Sequence, residues 1–206
     1  MAHIDTRDAQ LIQIVDATLA EAVRLSSGWL ACRVGCTQCC IGPFPISPLD
    51  ARRLRLGLAA LAASEPDRAA RVRERARQSV ARISPQFPGD PATGLLFEDE
   101  ASEDCDFAED EPCPALDPET GACELYAARP ITCRSFGPAV RVHADDMTGV
   151  AVCELCYVGA TDEEIAACQV EMDSGDLEAD LVRELQLQQG LQGQTIVAFA
   201  LAGGTF

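Results

Sequence analysis

Apolar residues recur every three or four positions at Leu11, Ile12, Val15, Leu19, Ala22 and Val23. That period predicts a helix over 6–26, with Asp5 or Thr6 at its cap and one buried stripe. Ser26-Ser27-Gly28 closes the helix, and Trp29 reads as a core residue. Ser47-Pro48-Leu49-Asp50 is a helix start, with Ser47 as N-cap and Pro48 in the first turn. The predicted helix runs to about Ala63, and another begins at Ser64-Glu65-Pro66-Asp67 and covers roughly 66–82. Prolines and glycines make 84–94 a loop. Asp117-Pro-Glu-Thr-Gly121 is turn chemistry, predicting a hairpin-like loop that brings Cys113 near Cys123. Pro130 opens a short helix presenting Cys133, which Gly137-Pro138 ends.

Residues 139–143 and 150–152 flank Asp145-Asp-Met-Thr-Gly149 as a short hairpin leading to Cys153 and Cys156. Thr161-Asp-Glu-Glu164 is a capping box opening a helix to about Met172, on which Cys168 reads as a small core residue. Leu177, Leu181 and Leu185 stripe a last helix over 176–189, stopped by Gly190. The tail Ile196–Leu201 is apolar throughout, so its period does not separate strand from helix. The expected fold is mainly α, with an irregular cysteine-rich centre and minor β-hairpin content. It is expected as a single metal-stapled domain over 1–206: motif core about 32–156, N-terminal helix 6–26, C-terminal helices 161–189.

Charge narrows the function classes. The chain of 206 residues carries a formal charge of −17, and all 16 basic residues are arginine. Such a balance opposes general nucleic-acid binding. No apolar run is long enough for a membrane span. The charged start, Met1-Ala-His-Ile-Asp, lacks an apolar signal core, so a cytoplasmic, reducing location is expected. Nine arginines between Arg52 and Arg82 face only Glu65, Asp67 and Glu74. Without interleaved aromatics they read as a solvated face that pairs with the acids ahead. Asp99, Glu100, Glu103, Asp104, Asp106, Glu109, Asp110 and Glu111 follow no calcium-loop spacing, and read as an acidic loop docking on that face. Neighbouring negative charge disfavours a thiolate at Cys105.

The chemistry lies in the cysteines. Of 11, nine fall into two groups: Cys32, Cys36, Cys39 and Cys40, then Cys113, Cys123, Cys133, Cys153 and Cys156. In a reducing compartment such thiols read as metal ligands before disulfides. Cys36-x-x-Cys39 has the spacing by which one loop offers two thiolates to one metal, and Cys153 and Cys156 complete a site. Adjacent Cys39 and Cys40 diverge, so one of them serves a second metal or a cluster. Nine thiols leave one site or two open. Soft thiolates select an iron–sulfur cluster or zinc. Arg33, Arg129 and Arg134 are placed to offset the negative sulfurs or to form ordinary ion pairs. Neither His3 nor His143 has a nucleophile motif beside it.

Two stretches resemble the bacterial CxxCxxCC cysteine-cluster family (the YkgJ type), a zinc- or iron-chelating domain. They are Cys36-Thr-Gln-Cys39-Cys40, and Cys113-Pro-Ala-Leu-Asp with Gly121-Ala-Cys123-Glu-Leu-Tyr-Ala-Ala-Arg129-Pro-Ile-Thr-Cys133-Arg-Ser-Phe136. The resemblance implies metal binding by Cys36, Cys39, Cys40, Cys113, Cys123 and Cys133. The gap from Cys32 to Cys36 holds three residues where the family pattern has two. Cys32, Cys153 and Cys156 join the candidate ligands by their place in the two groups. The expected function is a metal carrier or an iron–sulfur protein in electron transfer. The alternatives are a structural zinc module docking a protein partner, and a metal-dependent redox or protein-modifying enzyme.

Overall fold

Helix α1 spans Ala2–Ser26, four residues longer at its start than its apolar period predicts. Its buried stripe is Ile4, Leu11, Val15, Leu19 and Ala22, and Ser26 is fully buried too. Val23, expected on that stripe, is exposed, because the stripe drifts around a straight helix and reaches Ser26 instead. Each buried Leu or Val contributes about 1.5–3 kcal/mol by leaving water. The computed structural model describes residues 2–97, 107–144, 147–172, 176–190 and 193–203. Cys105 and Asp99, Glu100, Glu103, Asp104 and Asp106 of the acidic stretch lie outside the described residues.

The chain divides into two compact units, Met1–Arg33 with Ile131–Leu181, and Val34–Pro130 with Val182–Phe206. In the first unit α1 packs on the short helix α4, Ile131–Ser135. Pro130 precedes α4 as expected. Strands β3 (Val140–Ala144) and β4 (Met147–Ala151) pair antiparallel, Val140 opposite Ala151. Helix α5, Asp162–Ala167, opens with the expected capping box at Thr161. It ends at Ala167 and not near Met172, because Val170–Glu171 form strand β5, parallel to β3. Ladder pairing by a β-branched residue overrides local helix propensity there. Cys168 is buried, its thiol donating to the Leu25 carbonyl at 3.4 Å, a core residue as expected.

The second unit is built on α2 (Pro48–Ser64) and α3 (Pro66–Ile83). Ser47 caps α2, its hydroxyl accepting from the Asp50 N–H at 3.1 Å. The loop over 84–94 includes β1 (Gly89–Asp90), which pairs with β2 (Leu95–Leu96). The boundary between units falls within α6, Leu177–Gln189. The ambiguous tail is helix α7, Val197–Ala202, buried from Val197 to Leu201 and packed on both α2 and α3. A helix covered all round needs no polar face, which is why its period was uninformative. The Phe199 ring lies tilted against Phe87 with ring centroids 4.5 Å apart. No described helix is long and apolar enough to cross a membrane.

Candidate metal centre

Cys39 and Cys40 end a single 3-10 turn, Gln38–Cys40, whose last N–H bonds the Thr37 carbonyl at 2.8 Å. The Cys40 carbonyl accepts from the Cys113 N–H at 2.8 Å, Ile41 bridges Pro112, and Gly42 donates to the Glu111 carbonyl at 2.9 Å. This short antiparallel seam places the thiol pair beside Cys113. From there the chain doubles back as the turn chemistry predicts. Asp117 accepts from the Glu119 N–H and the Thr120 hydroxyl, Gly121 turns at φ +67, and Cys123 bridges Leu116. Cys113 and Cys123 both pack against the core formed with α2, α3 and α7.

Gly121 touches the Cys36 loop: a Cβ there would lie 3.2 Å from the Gly35 Cα and 3.4 Å from the Thr37 methyl. Within the second unit, therefore, the loop carrying Cys36 and the turn carrying Cys123 are in contact.

Electrostatics couples these thiols. The Cys40 S–H donates to the Cys39 sulfur, and that bond holds Cys39 down to about 6 despite burial, aided by a backbone N–H and the Arg129 charge. The same donation, with burial and the charges of Cys39, Cys113 and Cys123, pushes Cys40 far up. Burial pushes Cys113 up to about 12, and raises Cys123 as well. Cys39, Cys40, Cys113 and Cys123 thus form one group whose charges are felt mutually. Arg129 also stabilises the Cys123 thiolate, and its guanidinium lies 3.9 Å from the Tyr126 ring centroid. A thiolate set with one neighbouring cation and a desolvated base suits a soft metal, whose charge would replace protons that burial already disfavours losing to water.

One anchor of this group was not foreseen. Glu124, next to Cys123, is almost fully buried and pairs with Arg68 at 2.7 Å and with Arg75. Arg75 also donates to the Pro114 carbonyl at 3.0 Å, and Arg82 pairs with Glu111 at 2.7 Å. The arginine face of α3 therefore holds the thiol turn from one side. In sequence Glu124 is one acid among many; only the fold distinguishes it. Gly57 supports the other flank, since a Cβ there would strike the Ala128 methyl at 2.3 Å.

The first unit carries the other four candidates. Cys32 is exposed, its sulfur 2.5 Å from where a Gly137 Cβ would sit. Cys133 lies on α4. Cys153 and Cys156 close one turn, the Cys156 N–H bonding the Cys153 carbonyl at 2.9 Å. Cys156 is buried and accepts from the Ala31 N–H at 3.4 Å. Trp29, expected as a core residue, is half-buried and packs against the edge of this cluster. Of the three arginines, only Arg129 acts on thiols among the contacts described. Arg134 is buried against Asp16 at 2.6 Å, and Arg33 bonds the Ala31 carbonyl. His3 is exposed on α1 and His143 lies on β3.

All ten described cysteines are outside disulfides. Among the described residues, no three His, Cys, Asp or Glu side chains already converge as a metal site. No curated protein and no solved structure matches the chain. A family model does: CxxCxxCC, described as a putative zinc- or iron-chelating domain, over residues 31–157. That span runs from the residue before Cys32 to the residue after Cys156, so it takes in every candidate ligand and well over half of the chain. By this match the protein belongs to the CxxCxxCC family of zinc- or iron-chelating domains.

Proposed function

We propose that the protein is a metal carrier or iron–sulfur protein of the reducing cytoplasm. In this reading Cys36, Cys39, Cys40, Cys113 and Cys123 provide its principal thiolate site. The observation that carries it is the seam that joins the Cys113 N–H to the Cys40 carbonyl, with the Cys123 turn lying against the Gly35–Thr37 loop. Metal binding then replaces thiol protons and adds its free energy to folding. The vicinal pair favours a cluster, whose several irons accept neighbouring thiolates.

A crevice lined by Gly42, Phe44, Cys113, Pro114 and Ile196–Ala198 has a volume of about 20 Å³, space for about one water, and a larger cleft of about 280 Å³ is lined by Arg82, Ile83, Gln86 and residues 108–111. The structural zinc module remains the second reading, favoured by the Glu124 clamp, which ties the thiol turn to the α3 face.

Metal content and visible absorption of protein purified without oxygen test the proposal. A brown sample with iron and acid-labile sulfide is expected; stoichiometric zinc without colour moves the weight to the structural module. Cys39→Ser and Cys113→Ser are each expected to lose metal. Protein with neither metal, and with every thiol reactive, ends the reading.

A further inference from the structure

The sheet of the first unit ends on an open strand. Its order is β4–β3–β5, so among the described residues β4 has a neighbouring strand on one side only. In the ladder with β3, alternate residues of β4 turn their N–H and C=O groups away from β3. Folded proteins blunt such edges with lysine, proline or a bulge. Met147-Thr-Gly-Val-Ala151 carries no lysine and no proline, and it pairs with Val140–Ala144 in continuous register, without a bulge.

The chain that leaves β4 is apolar where it meets water. Val150, Val152, Leu155 and Val158 are all exposed, Val158 by 76%. Single exposed apolar residues are ordinary, but a run of them beside a free sheet edge marks a contact surface. The edge is also held in place. Tyr157, left-handed at φ +55, is buried, and its hydroxyl meets the Ser26 hydroxyl at 2.6 Å and accepts from the Ala139 N–H at 3.0 Å. Its own N–H donates to the Trp29 carbonyl at 2.9 Å. Ala139 precedes β3 and Tyr157 follows β4, so one side chain ties down the base of the hairpin. A strand that is already ordered loses little freedom when another is added to it.

Charge selects the occupant. Between Ile131 and Leu181 the chain has eleven acids against two arginines. Arg134 is buried against Asp16. Arg141, opposite Val150, donates to the Gln169 side-chain carbonyl at 3.3 Å, on the β5 side of β3. Glu154, Asp162, Glu163, Glu164 and Glu171, all exposed, lie on the segments that follow β4. A second copy docked edge to edge would bring two such acidic surfaces together, and like charges across a strand pair repel. We propose that the β4 edge docks an extended, basic segment of a partner protein, added to the sheet as a fourth strand. Main-chain hydrogen bonds to β4 set the register, Val150 meets the partner's apolar positions, and its arginines or lysines meet the surrounding acids. No thiol takes part, so this site stands whether or not the metal reading does.

The probe is a fluorescent peptide alternating arginine and valine, added to the full-length chain, with one alternating glutamate and valine as its control. The basic peptide is expected to bind by anisotropy, and to slow hydrogen exchange at the β4 amides that point away from β3. High salt is expected to weaken it about tenfold, since the attraction is between exposed charges. Val150→Lys/Val152→Lys, at exposed positions, is expected to keep the wild-type circular dichroism and to bind about tenfold more weakly, by the edge-blunting effect of lysine. Absence of binding, binding that leaves β4 exchange unchanged, or equal affinity for the acidic peptide overturns the proposal. Wild-type affinity in the folded double variant overturns it too, and should that variant unfold, β4 exchange in the wild type decides. A free chain that sediments as a dimer with those amides already protected gives the edge to a second copy, which also overturns it.

Discussion

Cys113 and Cys123 stand on a turn pressed against a large core and gripped from α3, whereas Cys32 and the Cys153–Cys156 turn stand on a small cluster centred on one tyrosine. In the second unit the supports are electrostatic and apolar together: a buried carboxylate between two arginines, and thiols whose pKa values burial displaces. In the first they are hydrogen bonds to a strained aromatic residue and a glycine gap beside Cys32. The difference teaches that one sequence motif can draw on two unrelated means of ordering its thiols. Loss of a ligand should therefore have unequal consequences. Cys113→Ser removes metal and an element of the core at once, and should lower the thermal midpoint more than any other single change. Cys32→Ser, at an exposed position, should bring a much smaller shift. Equal shifts by calorimetry would remove the distinction.

The clamp gives the next largest effect. Breaking a buried ion pair by removing one partner costs about 3–5 kcal/mol, and the partial exposure of Arg68 and Arg75 reduces this. Glu124→Ala should therefore cost about 2 kcal/mol in urea unfolding and expose Cys123 to alkylation. The first unit's thiols should keep their wild-type reactivity. Tyr157→Phe is the reciprocal experiment. It leaves the Ala139 N–H and the Ser26 hydroxyl without their shared partner, at about 1–3 kcal/mol. It should loosen Cys153 and Cys156 while Cys123 stays protected. If both variants expose both sets of thiols, the two supports are not separable.

Much of this arrangement was legible in the residues. Ser47 before Pro48, the Thr161–Glu164 box and Asp117–Gly121 are short-range signals with local mechanisms, and each appears as its chemistry dictates. The mutual placement of Cys113 and Cys123 follows from that turn alone. What was illegible depends on distant partners. Val170 looks helical until β3 offers it a ladder, and the Ile196–Leu201 run has no period because α2 and α3 cover it on several sides. Glu124 and Tyr157 carry no local mark of their roles. Tyr157 differs from an ordinary turn residue only through Ser26 and Ala139, which lie far from it along the chain.

The smallest effect probes how far the α3 face contributes beyond Glu124. Hydrogen bonding to Arg82 holds the Glu111 carboxyl below its usual 4.5. A carboxylate depressed in the folded state stabilises it above the unfolded pKa, and that contribution disappears as pH falls through the folded value. Arg82 is half exposed, so solvent screening limits the pair to about 0.5–1 kcal/mol. Arg82→Gln should accordingly lose that amount at neutral pH and low salt, and nothing once Glu111 is protonated. High salt should shrink the difference in the same way, since exposed pairs are screened. A deficit that persists in acid would mean Arg82 acts through the packing of its stem on Ile83 and Glu111. The α3 face would then support the seam beside Cys113 by shape and not by charge.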